Sequence, residues 1–556
     1  MRHAQGPLLT IDVSERNSKT QSIDEELAGF IGGRGVATKL AHDRIPFETD
    51  PFGPENRLYF STGPYQMSKM SFTGRMNLTG LSPLTDGLLS SNAGGYLSRN
   101  FVDTGYSVVE LVGKSSVPIL IHITDEGVEF EEVPELSGAE VPEVTSFVNE
   151  SHDLKKEHVA CIGPAGENQV RYACVMTYES RAFGRGGLGA VLGAKNIKGI
   201  TFSGNSAPDI ALPDDVQTSV HREAATTDDI MKRQGTTSGI ETINENFSLP
   251  TRYFSELEFE SAEDIGGFAV EEKKYKKGAC STCAFACKLP TRDDETGLET
   301  EGPELETVMS FGSNCAVDDL VDIMKSNELC DRLGLDTISC GNSIAAYLAS
   351  EDKFGNVELI HELIHKIAYR EGIGDDLAEG VNACHEQLDV ENWSVKGMEF
   401  AAHDGRVLYG QGLSYAVSNR GADHMYSTTL SVEYDGTYDP QTLEDKPSVV
   451  RRRENHNAIR DSAISCQFSE RGYIDADTHA SLLDTEYERL NEIGGRVIEL
   501  ERDFNNKRGI DREDDRLPYD LPGFEDALEE YYTLRGWNQD GTVPDAKVAQ
   551  YSDLTE

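Results

Sequence analysis

The sequence predicts an α+β protein in which a β-rich N-terminal unit is followed by two mainly α-helical units. Up to about residue 205 the chain is rich in glycine and in short β-favouring runs that are separated by turn residues. From about residue 212 onward, long stretches repeat apolar residues at helical spacing. With 556 residues, the chain also exceeds what one hydrophobic core usually supports. Two or three structural units are therefore expected.

The individual elements follow from these patterns in order along the chain. The clearest strand-like runs of the first unit are 106–112 and 117–123. Helical periodicity is strongest at 216–246, 318–333 and 357–370. From about residue 510 the chain is acidic and carries several prolines, which predicts a tail that wraps the surface.

The charge of the chain limits its partners. Asp and Glu number 97 against 51 Lys and Arg, which gives a formal net charge of -46. Nucleic acid and anionic membranes are therefore poor partners. Self-repulsion of this size destabilises a compact state in dilute buffer, but at about 1 M salt the Debye length falls to about 3 Å and the repulsion is largely screened. The composition thus predicts a halophilic host.

The expected location is cytoplasmic. Residues 1–7 are not apolar, so we expect no signal peptide. The ten cysteines are then expected to be reduced, and six of them to be buried as small hydrophobic side chains: Cys161, Cys174, Cys315, Cys330, Cys340 and Cys384. No window approaches the ~18 uninterrupted apolar residues of a membrane-spanning helix.

The other four cysteines have the spacing of a metal site. Cys280, Cys283 and Cys287 form a C-x-x-C-x-x-x-C triplet, and Cys466 lies far downstream. Three close thiolates and a distant fourth are typical of [4Fe–4S] ligation. A structural zinc site also uses four cysteines, but zinc ribbons usually supply them as two matched pairs. The spacing therefore favours a cluster and leaves zinc open.

Three glycine-rich loops of the N-terminal unit are candidates for binding an anion. Glycine lets backbone N–H groups approach a phosphate, and an arginine can bind a phosphate with two hydrogen bonds. None of the loops has the Walker pattern or a clean dinucleotide fingerprint. The sequence therefore predicts a phosphorylated cofactor near the loops 32–35, 91–95 and 181–189 and the nearby arginines Arg75, Arg181 and Arg185.

Several of these segments together resemble one family. From about residue 8 to about residue 470, the chain resembles the tungsten-dependent aldehyde:ferredoxin oxidoreductases. The matching segments are GGRGVATKL at 32–40, IGPAGEN at 162–168, GRGGLGAVLGAKN at 184–196, KKGACSTC at 276–283, DRLGLD at 331–336, GLSYA at 412–416 and NRG at 419–421. The resemblance implies a β-rich pterin-binding base domain at 1–206 and helical domains at 207–393 and 394–556, with the cofactor at the domain junction.

The resemblance also implies the cofactors. In this family two molybdopterin-type cofactors hold one tungsten ion through dithiolene sulfurs, so the protein need not supply a ligand to that metal. Matched to the family, Asn92 and the backbone carbonyl of Ala182 would bind a Mg²⁺ ion that bridges the pterin phosphates. Arg75 would lie between pterin and cluster, and Arg181 and Arg185 would contact the cofactor. The sequence does not distinguish tungsten from molybdenum.

Two D-x-x-G-L-[CD] segments bind the pterins in this family. The first is intact here and supplies Asp331, Leu335 and Asp336. The second supplies Asp461, Ser465 and the cluster ligand Cys466, but it has Ile464-Ser465 where Gly-Leu is usual. The resemblance therefore implies that pterin and cluster binding persist, and we expect an altered turn at this departure.

The implied reaction is the oxidation of a small aldehyde by water to a carboxylic acid. Glu306 and His424 match the family's active-site residues and would handle protons. The cluster would pass single electrons to ferredoxin, and both a monomer and a homodimer are left open. Two alternatives remain: a paralogue that acts on another carbonyl or carboxylic substrate with tungsten or molybdenum, and a non-catalytic iron–sulfur electron-transfer protein.

Two further motifs have alternative interpretations. Lys273, Lys274, Lys276 and Lys277 precede the cysteine triplet, and they predict either a docking patch for an acidic ferredoxin or a solvated turn. Residues 361–365 match the H-E-x-x-H motif of zinc proteases. Their apolar stripe instead favours an ordinary amphipathic helix with the histidines beside the core.

Overall fold

Two six-stranded sheets form the N-terminal part of the computed structural model, which describes residues 1–551. Their strands are β1 (Leu8–Asp12), β2 (Asn17–Gln21), β3 (Leu58–Ser61), β4 (Arg75–Leu81), β5 (Leu88–Gly94), β6 (Val108–Val112), β7 (Ile119–Thr124), β8 (Gly127–Glu132), β9 (Val159–Cys161), β10 (Val175–Thr177), β11 (Arg181–Phe183) and β12 (Ile197–Phe202). The strand orders are β2-β1-β6-β3-β4-β5 and β11-β10-β9-β12-β7-β8. The short strands β13 (Pro290–Arg292) and β14 (Glu299–Glu301) form one hairpin, and β15 (Ser394–Val395) and β16 (Met398–Glu399) form another.

The two large sheets share one hydrophobic core. Phe60 of the first sheet contacts Phe183 and Phe202 of the second, with ring centroids 5.7 and 5.9 Å apart. Both sheets are mixed: β1 pairs in parallel with β6 and β7 with β12, while most other neighbours are antiparallel. Shared burial of apolar side chains between sheets is the main stabilising term for such a layer.

Helices dominate the rest of the described chain. Those of seven or more residues are α1 (Gly33–Arg44), α2 (Leu97–Asp103), α3 (Val141–His152), α4 (Leu188–Ala194), α5 (Asp214–Thr226), α6 (Gly267–Lys273), α7 (Leu305–Phe311), α8 (Leu320–Leu333), α9 (Thr337–Glu351), α10 (Val357–Tyr369), α11 (Val381–Leu388), α12 (Tyr409–Val417), α13 (Lys446–Ala463), α14 (Ala476–Leu483), α15 (Tyr487–Lys507) and α16 (Phe524–Arg535). The α+β class predicted from the sequence is confirmed.

Two of the three predicted helical stretches are single helices, α8 and α10. The stretch 216–246 is not one helix, because α5 ends at Thr226 and only short helical turns follow. Gly235 lies at φ 56°, a left-handed conformation that interrupts a right-handed helix.

The C-terminal helices pack onto the first sheet. A single cluster of buried side chains contains Tyr59 of β3 together with Val497 of α15 and Tyr531 of α16. We expect the acidic segment from about residue 510 to wrap the surface, but within 510–551 helix α16 buries Tyr531 and Tyr532 in this core. Residues 552–556 of that segment lie outside the described residues. Gly494 of α15 permits close contact with α13, since a Cβ atom there would lie 2.2 Å from the carbonyl oxygen of Asn455.

The cysteines and the helices were also predicted to have particular surroundings. The six cysteines that are not part of the predicted metal site are all buried, as predicted: Cys161, Cys174, Cys315, Cys330, Cys340 and Cys384. Over residues 1–551, none of the helices has both the length and the apolar character that are needed to cross a bilayer.

Candidate active site

A cavity of about 310 Å³ lies where the strand ends of both sheets face the helices. Every residue predicted to bind cofactor or to catalyse lines its wall: Arg75, Asn92, Arg181, Ala182, Arg185, Glu306, Asp331, Leu335, Asp336, His424, Asp461 and Ser465. These residues come from all three predicted domains. The structure thus brings the predicted set together, while the role of each residue remains a prediction.

Paired strands fix the floor of the cavity. In the β4–β5 pair, Arg75 lies opposite Gly94 and Asn77 opposite Asn92. The Arg75 Nη2 atom donates a hydrogen bond of 3.0 Å to the backbone carbonyl of Asn92. Ala182 lies in the neighbouring edge strand β11. The arginine and the amide side chain are therefore held on rigid strands rather than on a loop.

Glu306 lies in the first turn of α7 and faces two imidazole rings. Its Oε1 atom is 3.3 Å from Nε2 of His424 and 3.7 Å from Nε2 of His403. The backbone N–H of Ala402 donates a 2.8 Å hydrogen bond to Oε2 and fixes the carboxyl group. Burial raises the pKa of Glu306. A carboxyl group with a raised pKa is suited to proton transfer near neutral pH.

Both histidines are neutral at pH 7. Burial lowers the pKa of His424 to about 4, with a contribution from the positive charges of Arg185 and Arg420. Burial also lowers the pKa of His403 to about 4. A neutral imidazole has one donor and one acceptor nitrogen, so each ring can both receive and release a proton.

Sequence analysis did not find His403. It follows β16 and belongs to none of the motifs, and only the packing of this loop against α7 brings its ring to Glu306. Its Nδ1 atom lies 3.3 Å from the hydroxyl of Tyr434, which lies 2.8 Å from Oγ of Ser248. A chain of titratable and hydroxyl groups therefore leads away from Glu306.

The three aspartates of the predicted pterin segments have different surroundings. Asp336 caps the N-terminus of α9 and accepts a 2.9 Å hydrogen bond from Ser339. Burial raises the pKa of Asp331 well above its usual value. Burial also acts to raise the pKa of Asp461, but the guanidinium groups of Arg460 and Arg34 outweigh it and lower this pKa. Asp331 and Asp461 therefore differ in the charge they can offer a ligand.

The turn at the second pterin segment is not altered, contrary to our expectation. Gly334 ends α8 at φ 79° and ψ 46°, and Ile464 ends α13 at φ 66° and ψ 76°. Both residues donate their backbone N–H to the carbonyl four residues earlier. Ile464 therefore adopts the left-handed conformation that the family pattern gives to glycine, and a β-branched residue is strained there.

This strain predicts an unusual order of stability. Ile464→Gly and Ile464→Ala both lose a buried side chain, but only glycine removes the left-handed penalty of roughly 1–2 kcal/mol. We expect Ile464→Gly to be more stable than Ile464→Ala by about 1 kcal/mol, measured by thermal unfolding of samples with matched metal content. The control is Ala463→Gly in the last helical residue, where glycine should be the less stable residue. An alanine variant as stable as the glycine variant at position 464 would contradict the assignment of strain.

One of the three glycine loops does not form an anion site. Residues 32–35 open α1 and do not line the cavity. A Cβ atom at Gly33 would lie 2.3 Å from the carbonyl oxygen of Asp461, so this glycine permits two chain segments to touch. Arg34 is fully buried and forms two 2.8 Å hydrogen bonds with Glu501. The loop at 32–35 therefore packs against the C-terminal end of α13. The other two loops, 91–95 and 181–189, contribute residues to the cavity wall.

The cysteine triplet and Cys466 surround a second cavity of about 190 Å³, which Cys280, Cys287 and Cys466 line directly. The loop packs tightly on β5, since a Cβ atom at Gly94 would lie 3.2 Å from the sulfur of Cys280. Burial, with the neighbouring thiols, raises the pKa of Cys283 to about 11. Thiols held this close together are suited to a shared metal centre, whose positive charge stabilises the thiolates.

The four sulfurs are not drawn together as closely as one zinc ion requires. One zinc ion that binds four thiolates at about 2.3 Å would hold the sulfurs about 3.8 Å apart. Within residues 1–551, no three of these sulfurs lie within 4.8 Å of one another. A cubane cluster separates its thiolates further because each binds a different iron ion.

The two cavities adjoin. Arg75, Asn92, Arg181 and Ala182 line both of them. Arg75 is therefore in contact with both cavities, and its position between a pterin and a cluster stays a prediction.

The larger cavity fits a polar group that both donates and accepts hydrogen bonds. Several buried polar atoms that face it lack a hydrogen-bond partner among the described residues, and such atoms are rare in folded proteins. They are Arg181 Nε, Arg420 Nε, Ser465 Oγ, His424 Nδ1 and Glu306 Oε1. Arginine and serine donors match the phosphates and heteroatoms of a pterin cofactor.

The H-E-x-x-H segment at 361–365 forms no assembled three-ligand metal site in the described part of the chain. Among the described residues, His361, Glu362 and His365 do not bring their ligand atoms together. Glu362 instead pairs with Lys366 at 2.6 Å, and Nε2 of His361 lies 3.2 Å from the carbonyl oxygen of Asp322. The segment is an amphipathic helix, α10, as its apolar stripe predicted.

The geometry agrees with comparisons to known proteins. A family model for the N-terminal domain of aldehyde ferredoxin oxidoreductase matches residues 8–204, and a model for domains 2 and 3 of the same enzyme matches residues 212–552. The chain belongs to the aldehyde ferredoxin oxidoreductase family. It is therefore an oxidoreductase of this family.

Individual relatives of this family differ in the activity that they carry. The tungsten-containing aldehyde ferredoxin oxidoreductase of Pyrococcus furiosus is 33% identical, over 98% of each chain. The aliphatic sulfonate oxidoreductase, WOR-like subunit, of the same organism is 26% identical, over 99% of this chain and 97% of the relative. Among solved structures, the BamBC active-site complex of benzoyl coenzyme A reductase superposes with a TM-score of 0.83 at 20% identity, over 99% of this chain and 97% of that chain, and shares the fold.

Proposed function

We propose that this protein oxidises a small aldehyde to the carboxylic acid with water as the oxygen source, and passes the electrons to ferredoxin. The observation that carries the proposal is the position of Glu306 between two neutral imidazoles, in a cavity whose remaining wall is the predicted pterin site. The 33% identity to tungsten-containing aldehyde ferredoxin oxidoreductases supports the same reaction.

The cofactor would be a tungsten or molybdenum bis-molybdopterin centre. When bound, it supplies two-electron redox chemistry at the substrate carbon. Arg181, Arg420 and Ser465 offer unpartnered donors to it, and the two segments Asp331–Asp336 and Asp461–Cys466 would hold the two pterins. Arg185 lines the same wall but already donates to the carbonyls of Ala422 and Glu399. Asn92 and the carbonyl of Ala182 offer oxygen ligands to a Mg²⁺ ion, which prefers oxygen.

The proton chemistry falls to this chain's own residues. Conversion of an aldehyde and water to an acid releases two protons and two electrons. Glu306, with its raised pKa, accepts a proton from water as the oxygen adds to the carbonyl carbon. His403 and His424 are neutral and lie 3.7 and 3.3 Å from Glu306, so they orient the carboxyl group while it holds the proton. Tyr434 and Ser248 extend the path from His403.

The electrons would leave through the cysteine site. Cys280, Cys283, Cys287 and Cys466 would hold a [4Fe–4S] cluster, which divides a two-electron oxidation into single-electron steps. Arg75 lies at both cavities and would lie beside the path between them. Ferredoxin is the proposed acceptor.

The decisive experiment combines composition and activity. Protein that is purified anaerobically should contain about four iron ions and one tungsten or molybdenum ion per chain, and it should reduce a viologen dye when an aldehyde is added. A panel of aliphatic, aromatic and phosphorylated aldehydes, with an alkanesulfonate for comparison, separates the proposed activity from that of a paralogue. Stoichiometric zinc without iron would refute the cluster. Full metal content with no aldehyde turnover would refute the substrate, and iron without tungsten or molybdenum would favour a non-catalytic electron-transfer protein.

The basic run before the triplet is smaller than the sequence suggests. Lys273 pairs with Asp293 at 2.6 Å, and Lys274 donates a 2.8 Å hydrogen bond to the carbonyl of Lys232. Lys276 and Lys277 are exposed and line an open cavity of about 610 Å³ beside the cysteine loop. These two lysines form the proposed ferredoxin contact.

We expect the double variant Lys276→Glu/Lys277→Glu to raise the KM for ferredoxin by about tenfold at low salt, because like charges then meet an acidic partner. The rate with a small neutral dye should not change. Lys19→Glu/Lys114→Glu, two exposed lysines of the N-terminal part of the chain, is the matched control and should leave both acceptors unaffected. Equal losses with ferredoxin and with the dye would count against docking at this site.

A further inference from the structure

Three side chains converge on the outer face of the second sheet, outside both cavities. His122 lies in β7, Glu131 in β8, and His152 is the last residue of α3. The Oε2 atom of Glu131 is 3.0 Å from Nε2 of His122 and 2.9 Å from Nε2 of His152. In the described part of the chain this is the one group of three or more His, Cys, Asp or Glu whose ligand atoms all lie within 4.8 Å of one another.

The fold holds this group in place. In the antiparallel β7–β8 pair, His122 is opposite Glu129, and Glu131 is two residues further along the same face. The rings of His122 and His152 lie 4.3 Å apart, so the end of α3 is packed onto the strand. The hydroxyl of Thr201 in β12 lies 2.8 Å from Nδ1 of His122, which leaves Nε2 directed at Glu131. A second polar partner of this kind is what orients a metal-binding histidine.

The electrostatics favour a cation. The carboxylate of Glu131 supplies negative charge at the centre of the group, within 3.0 Å of both rings. His152 lies at the C-terminus of α3, a helix of 12 residues, where the helix dipole is negative. Glu129 adds a second carboxylate beside His122.

We propose that His122, Glu131 and His152 bind a divalent transition-metal ion, with zinc as the representative member. Two imidazole nitrogens and one carboxylate oxygen are borderline donors that suit zinc, copper or nickel rather than Mg²⁺ or Ca²⁺. A tetrahedral zinc ion with ligands at about 2.0–2.1 Å would need them about 3.3 Å apart, so the observed 2.9 and 3.0 Å contacts must open by only a few tenths of an ångström.

The site has room for a fourth ligand from solvent. The side chains of Glu131 and His152 retain 33% and 31% of their exposure. Water can therefore complete the coordination. Neither of these residues nor His122 lines the proposed active site, so the ion would act on the stability of the sheet and of α3 rather than on the reaction.

Zinc binding to the holoenzyme tests the proposal. The anaerobically purified protein is dialysed against buffers of fixed free Zn²⁺, and zinc and iron per chain are then measured. We expect the wild type to bind one zinc ion that Glu131→Gln and His152→Gln bind at least about tenfold more weakly, because each lacks one ligand. The glutamine at position 131 keeps a hydrogen-bonding partner for the rings, so its loss of zinc would separate a metal site from a plain hydrogen-bond cluster.

A matched control and a second measurement complete the test. His365→Gln removes an exposed histidine of the H-E-x-x-H segment and should leave zinc binding unchanged. Zinc should raise the thermal midpoint of the wild type and of His365→Gln, but not that of the two site variants. Iron content and aldehyde turnover should stay constant throughout. Zinc affinity that is equal in the wild type and in both site variants, or wild-type protein that binds no zinc at about 0.1 mM, would overturn the proposal.

Discussion

Glu306→Gln should lower kcat for aldehyde oxidation by roughly 10²–10⁴-fold, which is the usual contribution of a positioned acid or base. Glutamine keeps the size of the side chain and can still accept the 2.8 Å hydrogen bond from Ala402. It cannot accept a proton from water, so the neutral histidines lose the group that they orient. The rate is measured by aldehyde-dependent reduction of a viologen dye on samples of equal iron and tungsten content.

The pH dependence makes this prediction more specific. Because burial raises the pKa of Glu306, the carboxylate is formed only above the usual glutamate range, and kcat/KM should rise as pH passes through that raised value. His403 and His424 have pKa values of about 4, so they become protonated only at a pH below this rise in kcat/KM. Glu306→Asp should retain the rise of kcat/KM with pH and some activity, whereas Glu306→Gln should lose both. A glutamine variant with the wild-type pH profile would show that another group takes the proton.

Cys466→Ala should abolish electron transfer to ferredoxin and reduce iron well below about four per chain. Cys466 is the proposed ligand from a separate segment, and its backbone N–H is fixed by a 2.7 Å hydrogen bond to the carbonyl of Phe72. Without this thiol, the proposed cluster would lack its ligand from the second pterin segment, on the side where the two cavities adjoin. Iron and sulfide analysis, together with electron paramagnetic resonance of the reduced protein, measures the loss.

A second cysteine variant controls for the cost of the mutation itself. Cys384→Ala removes another buried thiol, in α11, that has no predicted ligand role. It should keep full iron content and ferredoxin reduction. If Cys466→Ala retains four iron ions and the wild-type spectrum, then Cys466 is not a ligand.

Sequence patterns predicted much of this site because many of its parts lie in short linear segments. The cysteine triplet, the intact Asp331–Asp336 segment and the residues around Glu306 each carry their pattern within a few positions. The fold class also follows from local periodicity, since alternating and helical spacings are set by the backbone of each element. All twelve predicted residues reach one cavity because these segments end at the same junction.

Site residues that act through contacts between distant segments could not be predicted from sequence motifs. His403 has no motif and becomes relevant only because its loop packs on α7.

By itself, the sequence determined the fold class, the family resemblance and the candidate residues, since each is encoded in local spacing or in short ordered motifs. Only the tertiary structure decided which of these residues are free to act. Two of the four lysines of the basic run are engaged by neighbouring chain, the loop at 32–35 supports a helix end instead of an anion, and Ile464 takes a glycine's conformation. Burial and the partners of each side chain set its charge, its strain and its accessibility, and these partners come from parts of the chain hundreds of residues apart.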